Sequence, residues 1–209
     1  MRDDQQRKRQ SDVRESQVVT STGDHDDAVA GPYHGSVPTR FKPLHDAIGA
    51  NTRVLLVGIN PGIRSAETGH HFAGYSNRFW KLLHESGLTT ELLSAEDDAR
   101  LPEWSLGITN LIRRATPGVN TLRPEEYVAG LRTLRRKVQR LKPEVVAFIG
   151  VSLYRAIAGV KGPIALGLQS GTFHGARVVV LPNPSGRNAH FSYREMLDAF
   201  RELKLVADE

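Results

Sequence analysis

Four short apolar runs punctuate this chain: Val54–Val57, Leu106–Thr109, Val145–Ile149 and Val178–Leu181. Three of them are continuous and β-branched, the pattern of strands buried on both faces. Between the runs, apolar residues recur at helical spacing. The stretch opening at Ser76, through Phe79, Trp80, Leu82 and Leu83, predicts a helix that ends near Gly87. Pro124 opens a longer one, with Tyr127, Val128, Leu131, Leu134, Val138 and Leu141 on one face and Pro143 as its stop. Ser192-Tyr193-Arg194-Glu195 is a capping box for a last helix through about Leu205. Strands alternating with helices predict an α/β domain over residues 36–209, with a mainly parallel sheet covered on both faces. Residues 1–35 nearly lack large apolar side chains and are rich in Arg, Gln, Asp and Ser, which predicts a disordered tail. Within it, Arg7-Lys8-Arg9 either grazes a phosphate backbone or is simply solvated.

Two of the runs end in the same construction. Val54–Val57 breaks into Gly58-Ile59-Asn60-Pro61-Gly62, and Val178–Leu181 breaks into Pro182-Asn183-Pro184-Ser185-Gly186. Ligands of open α/β sheets bind beyond the carboxyl ends of the strands. Two Asn-Pro loops at such ends can face each other across one cleft.

Asn60 carries the polar head of the first loop. A buried amide at a strand end can accept a hydrogen bond from water and hold it in place, but it is too weak a base to take the proton. That suits a reaction in which the leaving group departs first and water adds to a cation-like centre, as in hydrolysis of an N-glycosidic bond, where positioning and electrostatics dominate. The pentapeptide alone fits better an asparagine that merely caps the Asn-Pro turn through its own backbone. It matches neither the dinucleotide fingerprint nor the P-loop, which needs a Gly-Lys-Ser/Thr ending.

Composition narrows the field. The 209 residues include no cysteine, which excludes disulfides, thiolate zinc sites and iron–sulfur clusters. No apolar stretch approaches the ~18 residues of a membrane span, and the N-terminus lacks the apolar core of a secretory signal. A cytoplasmic protein without membrane association is expected, nucleoid-associated if bacterial. The net charge is +5, while residues 1–30 hold five Lys/Arg against seven Asp/Glu, so the remainder carries about +7. A basic body suits a polyanion such as nucleic acid.

Residues 58–83 read G-I-N-P-G-I-R-S-A-E-T-G-H-H-F-A-G-Y-S-N-R-F-W-K-L-L. This segment closely resembles the first motif of the mismatch-specific uracil/thymine DNA glycosylases, with N-P-G, T-G-H-H-F and N-R-F-W-K in order. The later Asn183-Pro184-Ser185-Gly186 resembles that family's second motif. The likeness runs from about residue 52 to the last helix. It implies the uracil-DNA glycosylase fold, a three-layer α/β/α sandwich, with no cofactor and no metal. It also implies a monomer that acts on double-stranded DNA with a mismatched or damaged pyrimidine. The activity implied is flipping of uracil, or another modified pyrimidine opposite guanine, and hydrolysis to an abasic site in base excision repair.

The resemblance assigns roles by position. Asn60 corresponds to the asparagine that positions the hydrolytic water, and Phe72 to the aromatic that stacks on the extruded base. Ile59 and Phe72 would offer main-chain groups to the pyrimidine edge. His71 corresponds to a histidine of the thymine-processing branch; the alternative is a surface loop histidine. Asn183 corresponds to an asparagine close to the flipped nucleotide; the alternative is a turn former. Ser185, Gly186, Arg187 and Asn188 would contact DNA. Arg187 replaces the leucine of bacterial relatives, and Arg187-Asn188-Ala189-His190-Phe191 resembles the eukaryotic thymine glycosylase pattern. An arginine there can fill the vacated stack and bond the orphan guanine, or else contact a phosphate. Asn110 stands where a bacterial relative has lysine. Ser65 and Glu67 are expected in the water-positioning loop, with Glu67 assisting the water if it turns inward and otherwise facing solvent. No lysine occupies the nucleophile position, so a Schiff base and strand cleavage are not expected. The rival reading is a non-catalytic DNA- or nucleotide-binding module on the same fold.

Overall fold

Runs that are apolar toward both faces are stable only inside a covered sheet, and all four become strands. The computed structural model describes residues 44–209, so the expected tail over residues 1–35 lies outside the described residues. The strands are β1 (Val54–Gly58), β2 (Leu106–Asn110), β3 (Val145–Ile149), β4 (Gly167–Phe173) and β5 (Ala176–Leu181), in the spatial order β2-β1-β3-β5-β4. Every pairing is parallel except β4 against β5. The edge strand β4 was not expected. Its sequence, Gly167-Leu168-Gln169-Ser170-Gly171-Thr172-Phe173, has two glycines and no continuous apolar run, because one side of it faces solvent.

Among the described residues the α-helices are α1 (Ile63–Thr68), α2 (Phe79–Glu85), α3 (Pro124–Leu141), α4 (Val151–Ala158) and α5 (Tyr193–Asp208), and α2 to α5 cover the sheet. The alternation of side chains along β1 assigns them to layers. Val54 and Leu56 join Phe79, Leu82 and Leu83 of α2 and Phe200 and Leu203 of α5 on one face. Leu55 and Val57 join Leu134 and Val138 of α3 and Leu153 and Ile157 of α4 on the other. The result is the expected three-layer α/β/α arrangement. Each fully buried Leu, Val or Phe contributes about 1.5–3 kcal/mol of transfer free energy, so both faces of the sheet are strongly held.

Two helix boundaries differ from expectation. The helix expected from Ser76 begins at Phe79, because the Asn77 side chain accepts from the Phe79 amide (3.0 Å) and closes the entry turn. The last helix runs on to Asp208, with the Ser192–Glu195 capping box formed as read. Lys137 lies on the charged side of α3, among Arg135, Arg136 and Arg140. It instead turns inward, donating to Asp46 and to Thr109 Oγ1 (2.7 Å) at the end of β2.

Candidate functional site

The carboxyl ends of β1 and β2 do not simply splay apart. Their parallel pairing continues into the loops: Leu111 donates to the Gly58 carbonyl, Ile112 to Ile59 and Thr116 to Pro61, at 2.8, 2.8 and 3.1 Å. The Gly58–Gly62 loop is therefore stitched along its length to the segment after β2. The Ile59 carbonyl is already used by Ile112, and its side chain is buried.

This stitching fixes Asn60. Its Nδ2 faces three acceptors: the carbonyls of Pro61 and Arg114, each at 3.1 Å, and Thr116 Oγ1 at 2.8 Å. The Thr116 hydroxyl spends its proton on the Gly118 carbonyl (2.7 Å), so it can only accept from Asn60. The arrangement sets the amide orientation unambiguously. The nitrogen is bound to the protein, and Oδ1 is left as the acceptor for an outside group. A turn cap alone would not need three partners on the nitrogen. Thr116, buried at 3 % exposure, escaped sequence reading because it lies 56 residues away. The only signal in the sequence is a small polar residue just before Pro117.

Across the strand ends stands Phe72. Its φ is +51°, a left-handed conformation rare for a residue with a large side chain. One ring face stacks on Phe79, with centroids 4.1 Å apart and planes 18° apart, and the residue is half-buried. Gly58 is where backbone, ring and amide converge. A Cβ there would lie 2.6 Å from Asn110 Oδ1 and 3.6 Å from Phe72 Cζ. Glycine lets the end of β1 pass beneath both groups. Asn110 and Phe72 thus meet over the end of β1, two residues before Asn60.

The histidines before Phe72 are anchored. His71 is not a surface loop residue: it is 2 % exposed, and both its backbone N–H and its Nδ1 lie 2.9 Å from Asp98 Oδ2. His70 Nδ1 approaches the other oxygen at 3.2 Å. Burial opposes charge on Asp98, but the bonds from His71 and His70 outweigh it and hold the carboxyl below its ordinary value. Asp98 comes from a 3₁₀ helix, Ala95–Trp104, that sequence reading did not anticipate. Pro102 within it hides the helical signal, although Ser94 and Asp97 form a capping box.

Ser65 and Glu67 lie on α1, not in a loop. Ser65 is buried and its Oγ accepts from the Ala73 amide (3.1 Å), bracing the 69–73 segment. Glu67 is exposed on the same helix. The turn at Gly62 and the short α1 escaped notice because Ile63-Arg64-Ser65-Ala66-Glu67-Thr68 has no apolar periodicity.

The second loop sits beside the first motif. Arg78 donates to the Pro184 carbonyl (2.9 Å), and a Cβ on Gly186 would come within 2.6 Å of both the Ser76 carbonyl oxygen and Oγ. Glycine is thus required by close approach. Inside the loop, Asn183 Oδ1 accepts from the Ser185 amide (3.1 Å), Asn188 Nδ2 donates to the Asn183 carbonyl (2.8 Å), and Ser185 Oγ accepts from the Arg187 amide (3.3 Å). Asn183 therefore shapes the turn with its oxygen. Arg187 projects as an exposed side chain. The neighbouring cations differ in freedom. Arg114 is clamped by Glu126 through two bonds of 2.8 Å, which pull the Glu126 carboxyl down to about 2. Among the described residues no group of three or more His, Asp or Glu side chains is arranged to hold a metal ion.

A family model, the uracil DNA glycosylase superfamily, matches residues 45–204. The chain belongs to the uracil DNA glycosylase superfamily. The match takes in Asn60, Phe72 and Asn110, both Asn-Pro loops and the sheet. This superfamily member also shares its fold with the solution NMR structure of a Methanosarcina acetivorans protein described as a "putative Uracil DNA glycosylase". The two align at a TM-score of 0.54 and 20 % identity, over 78 % of this chain and 98 % of that one. At that identity the likeness speaks for the fold alone. Superfamily membership supports DNA glycosylase chemistry, a hydrolase acting on DNA, as the general class of its activity.

Proposed function

We propose that this chain is a monofunctional DNA glycosylase of the mismatch-specific kind, which extrudes uracil or a related modified pyrimidine opposite guanine and hydrolyses its N-glycosidic bond. The observation that carries this reading is the clamped amide of Asn60. In the reaction the C1′–N1 bond breaks with its electron pair on the pyrimidine. Water accepting alignment from Asn60 Oδ1 then adds to the electron-poor C1′ and loses its proton to solvent. A fixed acceptor suits that order of events, because it need only orient the water while charge develops on the sugar.

The remaining roles fall to the residues around the end of β1 and to the second Asn-Pro loop. Phe72 offers the ring face not covered by Phe79 to the extruded base, and stacking tolerates any base. Base identity then falls to hydrogen-bonding groups, with the Asn110 amide beside the ring and the main chain near Phe72 as the supports for that role. His71 and Asn183 complete the base side. Ser185, Gly186, Arg187 and Asn188 form the DNA-facing loop, with Arg187 entering the vacated stack. Ser65 braces the pocket from behind, and Glu67, facing outward, takes no part in activating water. A monomer acting on duplex DNA in the cytoplasm completes the proposal.

The test is excision from a duplex with one uracil opposite guanine under single-turnover conditions. The wild type should leave an abasic site without cutting the strand. Asn60→Ala should bind the same duplex nearly as well but react about 10²–10³-fold more slowly, the usual loss of one preorganised polar group. Wild-type binding without excision would support a non-catalytic binding module instead.

A further inference from the structure

The Asp98 carboxylate gathers three hydrogen bonds from two consecutive residues, the backbone N–H and Nδ1 of His71 and Nδ1 of His70. It lies 27 residues downstream of His71, on a different element. The residue that follows this anchor is Phe72, which holds the left-handed φ of +51°. A non-glycine side chain in that region is strained and persists only where the surroundings over-determine it. Ahead of Phe72 the backbone is bound to Asp98, and behind it the Ala73 amide is bound to Ser65 Oγ. The ring itself is pressed on Phe79. These three restraints surround one residue, and Asp98 supplies the one that precedes it in the chain.

A second observation concerns the imidazole. His71 is 2 % exposed, and its Nε2 is buried without any hydrogen-bond partner. A buried polar atom left unpaired is destabilising, so its presence calls for a reason. A carboxylate can only accept, so the neutral ring must carry its proton on Nδ1, toward Asp98. That leaves Nε2 as a bare acceptor beside the residue that forms the stacking wall.

We infer that Asp98 is a positioning residue of the base pocket: it holds the 70–72 segment so that Phe72 is set against Phe79, and it selects the His71 tautomer with Nε2 as an acceptor. Asp98 touches no substrate. It acts through His71 and Phe72, and its own rigidity comes from the 3₁₀ helix around it. The purpose assigned to the pocket rests on the glycosylase reading above; the clasp and the tautomer do not.

The decisive variant is Asp98→Ala, which removes the oxygen shared by the His71 amide and Nδ1. Asp98→Asn is the conservative control, because it can keep an oxygen at that position and turn its NH2 toward His70 Nδ1. Long-range ¹H–¹⁵N spectra of histidine-labelled protein at pH 8 read the tautomer directly. The wild type and Asp98→Asn should show the Nδ1–H form of His71, and Asp98→Ala should shift toward the Nε2–H form, with all three proteins folded. Single-turnover excision of uracil opposite guanine should fall by about 10- to 100-fold in Asp98→Ala, the scale of an ångström-level misplacement, and be largely kept in Asp98→Asn. Affinity for an undamaged duplex of the same sequence should not change. An Nε2–H ring in the wild type overturns the inference without any variant. So does Asp98→Ala with the wild-type rate, or with a rate loss matched by loss of undamaged-duplex affinity. If wild-type protein excises no uracil, the glycosylase reading fails while the tautomer measurement still decides the role of Asp98.

Discussion

At the scale of single residues, the proposed reaction asks opposite things of two side chains. Asn60 would serve through its fixed amide: the nitrogen is immobilised by Pro61, Arg114 and Thr116, which leaves one oxygen in one place. Phe72 would serve through its ring: one face is already occupied by Phe79, so stacking a base on the other would cost little further ordering. Phe72→Ala should therefore weaken capture of every accepted base by about 1–3 kcal/mol. Single-turnover excision measured across uracil and other modified pyrimidines checks this. A loss confined to one base would mean that the ring excludes by shape instead of stacking.

At the scale of elements, the two Asn-Pro loops are held by different means. The first is zipped to the segment after β2 by backbone bonds. The second is self-bonded through Asn183, Ser185 and Asn188 and rests on Ser76 through the bare face of Gly186. Arg187 and Gly186 should then respond differently to substitution. Arg187→Ala removes one exposed side chain. If that side chain fills the vacated stack and holds guanine, discrimination of guanine over adenine opposite uracil should drop by about 1–3 kcal/mol, with little change on single strands. Gly186→Ala forces the whole loop off Ser76, so it should slow excision on all three substrates. Comparing uracil opposite guanine, opposite adenine and in single strands at two salt concentrations separates these outcomes. Equal losses for Arg187→Ala with a salt slope lower by about one charge would instead mark a phosphate contact.

For the whole molecule, the ion pairs define an acid limit. Asp98 and Glu126 both have carboxyls held below their ordinary values, Asp98 by its histidines against the opposing cost of burial and Glu126 chiefly by Arg114, to about 2. A depressed folded-state value means that the stabilisation is fully present above the unfolded-state value near 4 and is lost as pH falls through the folded one. The melting temperature should be nearly level from about pH 5 to 8 and decline below about pH 4. Asp98→Asn should show a shallower acid decline, since one of these groups no longer titrates. Thermal melts across that range, wild type against variant, test the sign; an unchanged slope would mean that Asp98 contributes nothing to the acid transition.

Periodicity was enough to place the four buried strands, the long helix from Pro124 and the capped last helix, because burial on two faces or along one stripe writes itself locally into the chain. The motifs likewise marked Asn60, Phe72 and both Asn-Pro loops. Edge strand β4, the six-residue α1 and the Pro-containing 3₁₀ helix left no such mark, since each is half-solvated or too short to repeat. What folding alone decided was which distant groups meet. Thr116 reaches Asn60, Asp98 reaches His71, Lys137 turns in to Asp46, and Ser76 seats Gly186. Each of these depends on parallel strands bringing separate loops to one end of the sheet, and a local pattern carries no information about partners that only such long-range packing brings together.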